Sequence, residues 1–182
     1  MDIRDQKTLV LVKPDGVQRK LVGEIISRFE RVGLGIEEMK LVRVDKNLAY
    51  QHYADDEKWE ASVGNRLLDF FKENDRDPNK DIGTSDAVEI GKKVRDWLAT
   101  YLVEGGPVIA MVLKGPHVIE IVRKITGATY PLNAVPGTIR GDYGFESPFL
   151  ANIEHRAIEN MIHASGAPEE AEREIDLWFP NS

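Results

Sequence analysis

The chain has 182 residues, 42% hydrophobic and 30% charged, enough apolar surface for one globular domain around a single main core, with room for insertions. It contains no cysteine, which excludes a disulfide framework, a thiolate zinc site and a cysteine nucleophile, and is compatible with a reducing compartment. Against 24 basic side chains stand 31 acidic ones, a net charge of −7 that works against a broad nucleic-acid surface but allows a local basic pocket for a small anion.

No apolar stretch approaches bilayer length, and the opening Met1-Asp2-Ile3-Arg4-Asp5 lacks the apolar core of a secretory signal. A soluble, cytoplasmic chain with no membrane and no nucleic-acid partner is expected. Thr8-Leu9-Val10-Leu11-Val12 reads as a buried strand closed by a turn at Pro14-Asp15-Gly16. Leu21, Val22, Ile25, Ile26, Phe29 and Val32 fall at helical spacing before Gly33. A strand is expected over Met39 to Val44, and a short helix capped by Asp45 after it. Residues 54–86 are polar and read as a surface insertion within the same domain, centred on Asp75-Arg76-Asp77-Pro78-Asn79-Lys80-Asp81. Ile90, Val94, Trp97, Leu98, Tyr101 and Leu102 predict a helix from Asp86 to Gly105-Gly106-Pro107, with a buried strand at Val108 to Leu113 behind it. Val118, Ile119, Val122 and Ile125 give another helix, stopped at Gly127 and followed by a loop rich in Pro and Gly. A short strand at Asn160 to His163 and a helix from Pro168, with Ala167 as its N-cap, complete the order. This alternation is that of an α+β, ferredoxin-like split βαβ sandwich: a four-stranded antiparallel sheet with surrounding helices.

The Gly-x-x-x-x-Gly-Lys-Ser/Thr phosphate loop does not occur, and Gly33-Leu34-Gly35 follows a helix and reads as its stop. Lys13-Pro14-Asp15-Gly16 puts a lysine at a strand end, where ligands are commonly met, although Pro-Asp-Gly is also an ordinary turn sequence. Arg140, within Pro136-Gly137-Thr138-Ile139-Arg140-Gly141-Asp142, joins Arg123 and Thr129 as donors suited to phosphate oxygens; two solvated arginines in surface ion pairs are the alternative. Of His52, His117, His155 and His163, only the last ends an apolar run, Met161-Ile162, and precedes small residues, Ala164-Ser165-Gly166, that leave its ring accessible. Glu174 lies about three turns beyond, placed in principle to orient one ring nitrogen while the other attacks.

Lys13-Pro14-Asp15-Gly16-Val17-Gln18-Arg19, Pro136-Gly137-Thr138-Ile139-Arg140-Gly141-Asp142 and Asn160-Met161-Ile162-His163-Ala164-Ser165 together resemble, in this order, the nucleoside diphosphate kinases, in a longer prokaryotic form with two insertions. The resemblance spans roughly residues 7–53 and 105–179. It implies transfer of the γ-phosphate of a nucleoside triphosphate to a nucleoside diphosphate through a phosphohistidine, in a ping-pong cycle with broad base specificity. It makes His163 the phosphoacceptor, oriented by Glu174 and supported by Ser165 and Tyr53, with Lys13, Arg123, Thr129, Arg140 and Asn160 on the nucleotide. It also implies Mg²⁺ across the phosphates, ATP and other nucleoside di- and triphosphates as partners, and a homo-oligomer, usually a hexamer. The sequence departs from the family in the long stretch after Tyr53, in a second insertion near 144–159, in Tyr130 where asparagine is common, in Gly166-Ala167 for a usual Asp-Ser, and in a tail cut off after Trp178-Phe179, a segment that often joins subunits. Trp59 is the candidate platform for the base. A non-catalytic nucleotide-binding homologue is disfavoured by the presence of His163, Lys13 and both arginines, and a ferredoxin-like RNA binder by the acidic balance.

Overall fold

The computed structural model describes residues 3–53 and 56–180. Residues 1 and 2, part of the opening segment read above, and 54 and 55, which begin the polar stretch, lie outside them, as do 181 and 182.

Strand β1 (Gln6–Val12) runs through the middle of a sheet ordered β2-β3-β1-β4, antiparallel throughout. Its alternation serves two cores. Val10 and Val12 face one layer, against Ile25, Phe29, Val118 and Val122, while Leu9 and Leu11 face the other, against Ala49, Ala99, Leu102 and Trp178. Both faces being covered, β1 reads in sequence as an unbroken apolar run. The segment after it is a single helical turn, α1 (Pro14–Gln18), rather than a plain turn, with proline at its first position.

Helix α2 (Val22–Glu30) leads to β2 (Gly35–Val42), which starts about four residues before the expected strand. β2 is the sheet edge. Met39 and Leu41 are exposed there, so its pattern lacks the burial contrast that marks a boundary. Asp45 caps α3 (Lys46–His52) through Leu48 N–H, as the sequence indicates.

The polar stretch differs from a surface loop. It forms α4 (Glu57–Glu73) and the single turn α5 (Pro78–Asp81), and Leu67, Phe70, Phe71 and Ile82 bury against Ile90 of α6 (Ala87–Glu104) in a satellite core. The apolar positions do recur at helical spacing, but Lys, Glu, Asn and Arg between them mask the stripe. α4 and α6 nearly touch. A Cβ on Gly64 would sit 1.8 Å from the Ala87 carbonyl oxygen, and one on Gly91 2.1 Å from that of Glu60.

β3 (Val108–Gly115) and α7 (Val118–Thr126) follow as expected. The Pro/Gly-rich segment then holds a 3₁₀ turn at Pro131–Asn133, α8 (Ile139–Tyr143), capped by Thr138, and α9 (Pro148–Ile153), capped by Ser147. β4 is Ile162–Ala164, two residues later than expected at its start, because Met161 takes a left-handed conformation that cannot belong to a strand. α10 (Pro168–Trp178) closes the second face, with Ala167 at its N-cap and no side chain capping it. Among the described residues no helix is long and apolar enough to cross a membrane.

Candidate active site

Antiparallel pairing sets His163 opposite Leu11, near the end of β1 that presents Lys13. α3 ends beside them with His52 and Tyr53, α10 contributes Glu174, the last turn of α7 brings Arg123, and the segments after α7 and around α8 bring Thr129 and Arg140. These groups line one cavity of about 530 Å³ with Asn160, Trp59 and Trp97. Ser165 stands behind its wall.

His163 Nε2 lies 2.9 Å from Glu174 Oε2, and the Ser165 hydroxyl donates to the same oxygen at 2.7 Å. With Nε2 occupied by the carboxylate, the other nitrogen, Nδ1, is the one left to react. Burial of Glu174 would raise its carboxyl. The charge and hydrogen bond of His163, with His52 and Ser165, outweigh that and hold it at about 2. It is an ionised acceptor inside the fold.

Buried Lys13 donates from Nζ to Asn160 Oδ1 at 2.9 Å. Its own desolvation, helped by the Arg140 charge and opposed by Asp15, pushes Lys13 down to about 8. The Asn160 amide in turn donates to the Thr129 carbonyl. Arg140 is almost wholly buried, and its guanidinium donates to four main-chain carbonyls, those of Gly127, Ala128, Asn160 and Ile162, at 2.6–3.2 Å. Burial and then Arg123 lower its pKa, while those four acceptors favour the charged form. Most of its five donors are thus engaged in bracing the cavity wall. Arg123 reaches the Ala164 carbonyl at 3.3 Å from an exposed position. Tyr53 is buried, and its phenol is pushed above its ordinary range by burial and by Glu174.

The structure therefore gathers every candidate residue around one space. It adds His52, which a lone histidine beside Tyr53 did not signal. Its ring meets that of His163 edge-on, centroids 4.6 Å apart, and its Nδ1 accepts from Trp178 Nε1 at 3.3 Å and lies 3.5 Å from Glu174 Oε1. Burial first, then the His163 charge, lowers His52 well below the usual histidine range despite the pull of Glu174, so it stands neutral. Arg66 and Trp97, from α4 and α6, and Asn152 and Arg156, from the segment after α8, also line the cavity. All but Trp97, which lies on the helix expected from Asp86, come from the two stretches whose roles the sequence did not suggest.

A sequence profile described as nucleoside diphosphate kinase matches residues 6–73 and 87–182. The nucleoside diphosphate kinase of Pyrobaculum aerophilum is 49% identical over 174 residues, covering 96% of this chain and 94% of that one. The Borreliella burgdorferi enzyme of the same name is 38% identical over 180 residues, covering 97% and 89%. Among solved structures, the NDP kinase of Pyrobaculum aerophilum superposes with a TM-score of 0.92 at 47% identity, covering 96% of each chain. A transition-state mimic of the Borrelia burgdorferi enzyme with bound vanadate and ADP gives 0.75 at 38% identity, covering 99% of this chain and 90% of that one.

Proposed function

This chain belongs to the nucleoside diphosphate kinase family and transfers phosphate between nucleotides, and from that premise we propose that the phosphate passes through Nδ1 of His163 in a two-step exchange. The observation that carries this is the Glu174 bond to Nε2, which leaves Nδ1 of a cavity-lining ring as the nitrogen without that partner. The Nδ1 lone pair attacks the γ-phosphorus, the bond to the bridging oxygen breaks, and the nucleoside diphosphate leaves with the electron pair. Glu174 stabilises the positive charge on the ring as it forms. A second diphosphate then takes the phosphoryl group by the reverse path. Lys13, Arg123, Arg140 and Thr129 meet the phosphates, and Asn160 the ribose or phosphate oxygens. Bound ADP and vanadate in the Borrelia relative support this reading.

The cavity's carboxylates are Asp56, Glu170 and Glu174, and Glu174 is committed to His163 and Ser165. That set, among six cationic side chains, does not make an oxygen cage for Mg²⁺. The ion enters instead on the phosphate oxygens of the nucleotide, as part of the substrate. Trp59 and Trp97 offer flat apolar surfaces rather than base-edge donors, which favours acceptance of purines and pyrimidines alike. One domain carries the activity; residues 74–86, between the two matched stretches, fall within the insertion read at 54–86. Exposed Met39 and Leu41 on the edge strand, with Leu132, Val135 and Phe145, support a homo-oligomer, with a hexamer as the family form.

Incubation with γ-labelled ATP should leave an acid-labile, alkali-stable phosphate on His163, and His163→Ala should abolish both label and turnover. Label on a serine, or full activity in the variant, would overturn the mechanism.

A further inference from the structure

We infer that Asp15, braced by Tyr101, is a positioning residue for the transfer: it holds Met161 in a left-handed backbone conformation and so fixes how the chain enters β4 and where His163 stands. This rests on His163 being the phosphoacceptor.

Met161 has φ 62° and is fully buried, a conformation rarely taken by residues other than Gly, Asn and Asp. The Ile162 N–H donates to the Asn160 carbonyl at 2.7 Å, closing a tight three-residue turn about Met161, and its surroundings hold that turn from three sides. The Met161 N–H donates to Asp15 Oδ2 at 2.9 Å, its carbonyl accepts from Lys13 N–H at 2.8 Å, and its thioether accepts from Arg19 Nη1 at 3.3 Å. The Tyr101 hydroxyl, on α6, donates to Asp15 Oδ1 at 2.6 Å, and its oxygen accepts from Asp15 N–H at 3.0 Å. Burial, with the neighbouring Asp15, pushes the Tyr101 phenol well above its ordinary range, so it remains a donor. Gly16 completes the fit: a Cβ there would stand 2.8 Å from Val12 Cγ1 and 3.0 Å from the Met161 carbonyl oxygen.

Asp15 does not line the cavity and is too deep to meet a nucleotide, being 6% exposed. Its effect on His163 travels through one backbone unit; its charge also supports those of Lys13 and Arg140, so the variants are compared below neutral pH, where both cations stay protonated without it. Asn160 is held independently by Lys13, Thr129 and Arg140, while β4 begins immediately after Met161 and has only three residues. A Met161 released toward the right-handed region would redirect the chain into β4 and swing His163 from the line of attack, leaving the nucleotide contacts in place.

The test compares the full chain with Asp15→Ala, Asp15→Asn, Tyr101→Phe and Asp15→Ala/Met161→Gly. Single-turnover labelling from γ-labelled ATP measures the chemical step, and calorimetric titration with ADP measures binding. Asp15→Ala should label about 100-fold more slowly, as expected for a reacting group misplaced by about an ångström, with ADP affinity within about threefold. Asp15→Asn can still accept from Met161 N–H while its amide donates to the Tyr101 oxygen, and should keep most of the rate. Glycine adopts the left-handed region without a clamp, so the double variant should regain about tenfold in rate over Asp15→Ala. It should do so although loss of the buried methionine lowers its melting temperature, a combination that a role in packing alone cannot produce.

Labelling of Asp15→Ala at the wild-type rate, an equal loss of ADP affinity, or a double variant no faster than Asp15→Ala would each overturn the inference. Should Asp15→Ala not fold, Tyr101→Phe decides it: a rate lowered by about threefold or more at unchanged ADP affinity supports the clamp, and an unchanged rate refutes it. A wild-type protein that takes no label on His163 removes the phosphohistidine reading, and this inference falls with it. Labelled wild type with an unaffected Asp15→Ala removes the inference alone.

Discussion

Glu174 keeps its charge where burial opposes it, and that conflict gives it a signature in pH. Its folded pKa, about 2, lies below the ordinary 4.5. The stabilisation is therefore fully present above 4.5 and is lost as pH falls from there toward 2, on the order of 3 kcal/mol in all. Denaturation of the wild type and of Glu174→Gln across this window should show their stabilities converging as the solution is acidified. A gap constant from pH 6 to 2 would mean that Glu174 is not held ionised. Lys13 titrates on the other side of neutrality. Its folded value, about 8, means that the cation proposed to meet the phosphates is lost as pH rises through that point. The KM for nucleotide should rise about tenfold between pH 7 and 9, and Lys13→Met should flatten the profile. These two residues were legible from motif and spacing. His52 was not, because its importance comes from contacts with Trp178 and Glu174, residues more than a hundred positions away.

Helices show the same division. α7 could be read because its apolar stripe is uninterrupted and Gly127 marks its end, and α10 because Pro168 marks its start. α4 could not, since its apolar face looks toward another helix rather than the sheet and its remaining positions are charged. At the start of α10 the structure leaves the N-cap, Ala167, without a side-chain acceptor, and Glu170 reaches back to Gly166 N–H instead. Ala167→Ser should stabilise the protein by about 1 kcal/mol by accepting from a first-turn N–H. An unchanged denaturation midpoint at equal slope would show that the Glu170 contact already suffices. The crossing of α4 and α6 predicts the opposite sign. Gly64→Ala or Gly91→Ala places a methyl inside a neighbouring carbonyl, so the helices must part, at about 1–3 kcal/mol each. ADP affinity should fall as well, because Trp59, Val63, Val94 and Trp97 on these helices form the cavity wall. Chemical denaturation and ADP titration of each variant check both effects.

At the level of the molecule, the split βαβ order was readable because β1, β3 and α7 are buried enough to leave plain signals. The edge strand β2 starts earlier than its pattern predicts because Met39 and Leu41 are exposed on it and leave no burial contrast; these are side chains the proposed homo-oligomer would cover. Sedimentation should accordingly give a mass several times 20.5 kDa, and Leu41→Asp should lower it; a wild-type monomer at micromolar concentration would refute the homo-oligomer. Arg140 ties the end of α7 to the segment entering β4, and all four of its acceptors belong to the main chain. The bonds of the brace therefore make no demand of their own on the side chains at its anchor points, although Gly127, Asn160 and Ile162 are fixed by their own surroundings. Substitutions at Ala128, whose side chain is exposed, can accumulate without loosening it, whereas lysine at 140 could not reproduce a planar fork reaching several carbonyls at once. Mutational tolerance around this cavity should thus be lopsided: permissive at Ala128, and intolerant at Arg140 and at Gly127, whose φ of 87° and 2.4 Å from a Cβ to Thr138 Oγ1 leave no room for a side chain.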